Sequence, residues 1–309
     1  MTESVIRVRG LHKAYGDVEA VRGIDLEVHA GEVLAFLGPN GAGKTTTVEV
    51  LEGYRARTAG EVTVLGADPA DPRREWRARI GIVLQQSRMH PELTVRETLE
   101  LFGGYYPRTR GVIETIGLVG LDEKADTRVS RLSGGQQRRL DVGVALIGDP
   151  ELLFLDEPTT GFDPSARRHA WEVIASLRDL GKTVFLTTHY MDEAQALADR
   201  VAVIANGEIV ATGTPADLGG RADASAQITF SLPTPEAVAA LPIPPTEAHG
   251  HSDGQLVRIE VAEPVPALAA LTAWSLDRSI PLTGLEVRRP SLEDVYLELT
   301  RSGDGEARG

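Results

Sequence analysis

The chain has 309 residues, 42% of them hydrophobic, and no cysteine. That is length for one large domain and a smaller one, and it excludes a disulfide framework, a thiolate metal site and a thiol nucleophile. A formal net charge of −13, with a pI near 5.1, argues against nucleic-acid binding, which needs a basic surface to replace counterions on phosphates.

Met1 to Arg9 is polar and lacks the apolar core of a signal peptide. Short β-branched runs then alternate with helix-length segments. Val5–Val8, Ile24–Val28, Val33–Leu37, Val62–Leu65, Ile80–Leu84, Leu152–Leu155, Val184–Thr187, Val201–Ile204 and Ile209–Ala211 read as strands. Several are apolar throughout, as strands buried on both faces are. They are far shorter than the roughly 20 residues of a membrane helix, so a role at a membrane is expected to run through a partner. The pattern predicts an α/β fold with a mostly parallel sheet. From about residue 88 to 132 no strand is evident, and Leu99, Leu101, Phe102, Ile113, Ile116 and Leu118 suit helices. A helical insertion is expected there, opened by the capping-box pattern Thr94-x-x-Glu97. Asp163-Pro164 places a cap and a first-turn proline before a helix over Ser165–Leu180.

Prolines punctuate the chain after residue 215. Strands are expected at Gln227–Leu232, Leu256–Val261 and Leu285–Arg288, helices at Thr234–Ala240 and Val265–Trp274, and a last helix from Ser291, where Ser291-x-x-Asp294 forms another capping box. Residues 1–221 are therefore read as the main domain, 222–301 as a small α+β domain and 302–309 as a disordered tail.

Gly38-Pro39-Asn40-Gly41-Ala42-Gly43-Lys44-Thr45 matches G-x-x-x-x-G-K-[ST], with an apolar strand before it and a helix after. The glycines let successive backbone N–H groups turn toward phosphate oxygens, and the helix presents its positive end to the same anion. Lys44 supplies a full charge near the β- and γ-phosphates, the Thr45 hydroxyl is a ligand for Mg²⁺, and Thr46 belongs to the same cradle. Alone, this loop says only that the chain is a P-loop NTPase. Leu152–Leu155 ends in Asp156-Glu157. A buried strand delivers its C-terminal residues to the rim of the sheet, where ligands bind. Asp156 is expected to hold Mg²⁺ opposite Thr45, and Glu157 to polarise the attacking water as general base, a role worth about 10²–10⁴-fold in rate.

Leu132-Ser133-Gly134-Gly135-Gln136 resembles the signature sequence of ABC ATPases, and it precedes Asp156-Glu157 at the spacing that family shows. The resemblance extends in order along the chain. Tyr15 resembles the aromatic that stacks on adenine. Gln85, with Gln86 beside it as the alternative, resembles the glutamine that senses Mg²⁺. Gly161-Phe162-Asp163 resembles the loop that crosses the dimer interface, although the family more often has Leu where Phe162 stands. His189, after Leu186-Thr187-Thr188, resembles the switch histidine at the γ-phosphate.

The resemblance implies an ABC-ATPase domain working as a head-to-tail pair, with ATP and Mg²⁺ between the phosphate loop of one copy and Ser133, Gly134, Gly135 and Gln136 of the other. Gln137–Leu140 and Pro290–Tyr296 are similar to the ATPases paired with ABC-2-type permeases in drug-exporter systems. This implies an ABC transporter ATP-binding protein at the cytoplasmic face of the membrane, held there by its permease and by a second ATPase subunit, either an identical chain or a sibling. The insertion is shorter than usual after Gly103-Gly104, and in the family that segment docks on the permease. The competing reading is a soluble ABC-family ATPase acting outside transport.

Overall fold

The computed structural model describes residues 3–84, 89–218, 225–251, 254–288 and Tyr296. Gln85, the helix expected from Ser291 and the tail 302–309 lie outside the described residues, apart from the helical Tyr296. The chain divides into two compact units between Pro215 and Ala216.

The first unit opens with two long strands, β1 (Ser4–Tyr15) and β2 (Val18–His29), followed by β3 (Val33–Leu37) and helix α1 (Lys44–Leu51). Next come β4 (Ala59–Val64), the single turn α2 (Arg74–Arg77) and β5 (Ile80–Val83). Helices α3 (Val95–Gly103), α4 (Val112–Leu118) and α5 (Gly134–Leu146) lead to β6 (Leu152–Asp156). The unit ends with α6 (Pro164–Asp179), β7 (Thr183–Thr188), α7 (Met191–Leu197), β8 (Arg200–Ala205) and β9 (Glu208–Gly213).

These strands form two sheets. Val5–Val8, Ile24–Val28 and Val62–Leu65, which the sequence offers without distinguishing them from the rest, belong to a separate antiparallel sheet of order β2-β1-β4. In β1 Ile6 and Val8 are buried while Arg7 and Arg9 are exposed, as befits a sheet with one wet face. The second sheet runs β5-β6-β7-β3-β8-β9, parallel except for β9. At its centre β3, apolar throughout, and β7, whose Val184–Leu186 run is flanked by buried threonines, are buried at every residue. Phe36, Phe154 and Phe185 cluster across three neighbouring strands, with ring centroids 5.5 and 5.7 Å apart. One apolar layer fills the space on the side of the antiparallel sheet and α1 (Val8, Leu26, Val48, Phe154). A second, opposite, takes in Leu99 of α3, Leu140 of α5 and Ile174 of α6. Each fully buried Leu or Phe stabilises the fold by about 1.5–3 kcal/mol.

The strand order positions the site. Because β3 pairs with β7 and β7 with β6, Leu37 lies beside Thr188 and Asp156 beside Thr187. The loops after these three strands therefore leave the sheet together at its C-terminal rim, where parallel α/β sheets bind ligands. The expected capping box is formed at α3, with Thr94 and Glu97 bonded reciprocally. Among the described residues 89–132 there is no strand longer than an isolated bridge, Thr94 to Arg128.

The second unit is a four-stranded antiparallel sheet of order β11-β12-β10-β13: β10 (Ala226–Leu232), β11 (Glu247–His251), β12 (Gly254–Val261) and β13 (Thr283–Arg288). Helices α8 (Pro235–Ala239) and α9 (Pro264–Arg278) pack on it through Ala237, Ala267 and Leu271, against Ile228, Phe230, Val257 and Ile259. Strand β11 was not expected from the sequence. Glu-Ala-His-Gly-His has no β-branched residue, and it is extended because it pairs with Gly254–Arg258.

Candidate functional site

The loop from Gly38 to Gly43 turns where only glycine fits. Gly41 and Gly43 have φ of 82° and 104°, in the left-handed region. A Cβ on Gly38 would stand 2.5 Å from the Ile204 carbonyl oxygen, and one on Gly43 2.5 Å from that of Ala20. α1 starts at Lys44, whose side chain is buried. Its Nζ donates to the carbonyls of Gly38 (2.7 Å) and Pro39 (3.2 Å) and lies 3.7 Å from Glu157 Oε1. Burial pulls the Lys44 pKa below its ordinary value, with Glu157 and Asp156 opposing the fall. A concavity of about 350 Å³ opens here, lined by Asn40, Gly41, Lys44, Thr45, Thr46, Asp156 and Glu157 among others.

Asp156 ends β6 and accepts a hydrogen bond from the Thr187 hydroxyl on the neighbouring strand. Burial pushes its carboxyl above the usual range, and the Thr187 bond works against that. Glu157 follows with φ of 44°, an uncommon conformation for a residue with a side chain. It is held by its backbone N–H, which donates to the Thr187 carbonyl and hydroxyl, both at 3.1 Å. Its carboxylate is 3.2 Å from His189 Nδ1, an electrostatic contact without hydrogen-bond alignment, and it accepts from Thr160 Oγ1 at 3.2 Å. The structure thus brings Lys44, Asp156, Glu157 and His189 together.

It does not bring the signature turn to them. Ser133 caps α5 in a reciprocal box, its N–H donating to Gln136 Oε1 at 2.9 Å and its hydroxyl accepting from the Gln136 N–H at 3.3 Å. Gly134 and Gly135 open the helix. Ser133, Gly134 and Gly135 line a separate concavity of about 1200 Å³, shared with Phe162 and Asp163. Glu157 lines both spaces. Asp163 caps α6 by accepting from the N–H groups of Ser165 and Ala166, at 2.8 and 2.9 Å. Tyr15 ends β1, 41% exposed, with Lys13 Nζ and Arg55 Cζ 5.0 and 5.3 Å from its ring centre.

Two supports escaped the sequence reading. Arg138, buried in the second turn of α5, donates to the carbonyls of Pro158 (3.0 Å) and Asp156 (2.9 Å), and to that of Leu84. It fixes the strand end carrying the two acids from behind, and burial lowers its pKa. The only signal was an arginine four residues after the signature glycine, in a run of polar residues that reads as a solvated helix start. Glu193 of α7 is fully buried and accepts from Thr159 Oγ1 (2.8 Å) and Trp171 Nε1 (3.1 Å), tying the segment after Glu157 to α6 and α7. Burial raises its pKa.

The oxygens of Thr45 and Asp156 meet the demand of a hard cation for oxygen ligands. Among the described residues no group of three or more acidic, histidine or cysteine side chains could hold a metal alone. Two protein ligands, the rest coming from phosphates and water, is the Mg²⁺ pattern. Among the described residues no helix is long and apolar enough to cross a membrane.

Residues 21–160 match the ABC transporter family model, and residues 226–291 match the model of an ABC transporter domain-containing protein-like C-terminal domain. The chain is 38% identical over 305 residues to Nod factor export ATP-binding protein I of Cupriavidus pinatubonensis, covering 96% of this chain and 91% of that one. It is 38% identical over 313 residues to daunorubicin resistance ATP-binding protein DrrA3 of Streptomyces coeruleorubidus, covering 97% of each. To linearmycin resistance ATP-binding protein LnrL of Bacillus subtilis it is 35% identical over 308 residues, covering 96% and 98%. Among solved structures, the ADP conformation of an ATP-binding cassette of an ABC transporter is similar at TM-score 0.62 and 26% identity, over 69% of this chain and 92% of that one. A dimeric post-hydrolysis cassette bound to ADP and Pi is similar at TM-score 0.61 and 26% identity, over 68% and 98%. A glycine cradle with a buried lysine, two acids at the end of β6 and this likeness along the whole chain lead to one conclusion. The chain belongs to the ABC transporter family, as one of its ATP-binding, ATP-hydrolysing subunits.

Proposed function

We propose that this chain drives export through a separate ABC-2-type permease, hydrolysing Mg-ATP between two copies of itself or between itself and a sibling. The observation that carries the reading is the position of Glu157. Its carboxylate stands between Lys44 and His189 and borders both the phosphate-loop concavity and the signature concavity. Within one chain these are separate spaces, so a nucleotide touching both phosphate loop and signature turn requires a second subunit. Binding then favours closure, and loss of the γ-phosphate removes that bias.

Gly38 through Thr46 bind and orient the triphosphate, with Lys44 giving up its loop carbonyls to reach it. Thr45 and Asp156 hold Mg²⁺, with Gln85 assigned to the same ion from its place after β5. Held there, Mg²⁺ would supply charge neutralisation for the triphosphate. Glu157 orients and deprotonates the attacking water, and His189 contacts the γ-phosphate. Tyr15 stacks on the adenine, and Asp163, Ser133, Gly134, Gly135 and Gln136 complete the partner's site. The relatives named for Nod factor export and for daunorubicin and linearmycin resistance support an export role and a place at the cytoplasmic face of the membrane, held by the permease. Residues 1–221 carry this chemistry, and 222–301 form an appended domain that the nucleotide cycle does not use directly.

The test compares ATP turnover and oligomeric state of Glu157→Gln and wild type, with and without Mg-ATP. The variant should bind ATP, lose turnover by about 10²-fold or more, and become a dimer only with nucleotide. Wild-type turnover in the variant would remove Glu157 from the role of base.

A further inference from the structure

Tyr190 has no task in the chemistry described so far, yet it occupies the place between the switch histidine and the loop before α6. Its ring lies 4.1 Å from that of His189, tilted by 39°. Over it stands the guanidinium of Arg167, with Cζ 4.2 Å from the ring centre. Arg167 sits in the first turn of α6, its own N–H bonded to the carbonyl of Asp163, the last residue of the Gly161–Asp163 loop. Its Nε is buried with no hydrogen-bond partner among the described residues, and Nη1 reaches Asp192 at 3.3 Å. A guanidinium so placed has the aromatic face as a principal partner. The Tyr190 N–H is fixed by Thr188 Oγ1 at 2.9 Å. From the loop to the base there is thus a continuous line: Asp163, Arg167, Tyr190, His189, Glu157.

We propose that Tyr190 is a positioning residue for ATP hydrolysis: clamped by Arg167, it sets the orientation of His189, so that the placement of the Gly161–Asp163 loop governs the histidine. This rests on the reading that His189 acts in hydrolysis. The ring, not the phenol hydroxyl, does the work, because Arg167 stands over its face and His189 meets it ring to ring. A nucleotide-induced shift of α6 by a fraction of an ångström would alter the stack while leaving the phosphate loop undisturbed.

The experiment measures ATP turnover and nucleotide affinity of the full chain for Tyr190→Phe, Tyr190→Leu, Arg167→Met, His189→Ala and the double variant Tyr190→Leu/His189→Ala. Tyr190→Leu and Arg167→Met should lower kcat by about five- to twentyfold with KM within about twofold. Tyr190→Phe should stay near wild type, and the double variant should be no slower than His189→Ala alone. The proposal is overturned if Tyr190→Leu or Arg167→Met turns over normally, if Tyr190→Phe is as slow as Tyr190→Leu, or if the tyrosine defect multiplies in the His189→Ala background. Normal turnover in His189→Ala would remove the underlying reading, and the clamp with it. Should Tyr190→Leu fail to fold, Arg167→Met with and without His189→Ala decides the matter, since Arg167 lies toward the surface with 22% of its side chain exposed.

Discussion

The two units of the chain bury different things. All the charged side chains buried among the described residues (Lys44, Glu52, Arg138, Asp141 and Glu193) lie in the first unit. The second unit is held together by an apolar layer between one sheet face and two helices, with Ile228, Phe230, Ile259 and Leu271 at its centre. Burying a charge costs several kcal/mol unless it is paired. Two of the five, Lys44 and Arg138, bear directly on the strand end that carries Asp156 and Glu157, so part of that cost is met at the candidate site.

Arg138 should break this contrast most strongly. Arg138→Ala removes the donor to the carbonyls of Asp156 and Pro158 and the ion-pair partner, at 3.7 Å, of buried Asp141. A loss of about 3–5 kcal/mol in urea unfolding is expected, together with impaired ATP turnover. Leu271→Ala probes the other side. It should cost about 2–4 kcal/mol through the cavity it leaves, seen as earlier unfolding of the second unit, while turnover of the folded protein stays within about twofold. A parallel collapse of turnover would show that the two units are not energetically separate.

The smallest expected effect depends on pH. Burial, joined by the charges of Asp156 and Glu49, pushes the Glu52 carboxyl up from 4.5 to about 8. Between those values the native state keeps a proton that the unfolded chain has released. This group therefore reduces stability progressively as pH rises through the window, and fully above it. Glu52→Gln should be more stable than wild type, with a gain about 2–3 kcal/mol larger at about pH 9 than at about pH 6. An equal gain at both would show that the carboxyl titrates normally.

How much of this was legible in the sequence follows from how local each feature is. The phosphate loop, the acids after β6, the α3 capping box and the fully apolar strands are written in consecutive residues, and the α/β fold with its helical insertion could be read from them. The division of the strands into two sheets could not, because Val5–Val8 and Val33–Leu37 look alike until their partners are known. Strand β11 is extended only by virtue of β12. Arg138 stands among Gln136, Gln137 and Arg139, and nothing in that run says which arginine turns inward. Tyr190 looks like an ordinary aromatic beside a motif; its contact with Arg167 joins segments that the sequence alone cannot bring together. The choice between Gln85 and Gln86 falls outside the described residues.

The grip of Gly38, Pro39 and Glu157 on the Lys44 ammonium has a consequence for the way nucleotide enters. The resting cation is already coordinated, so arrival of a triphosphate is an exchange of anions and dipoles around a fixed positive centre rather than neutralisation of a bare one. Part of the Coulombic gain is then spent in releasing Glu157, the carboxylate proposed above as the base. On the proposed reading, loading the site and releasing Glu157 are then expected to be one event.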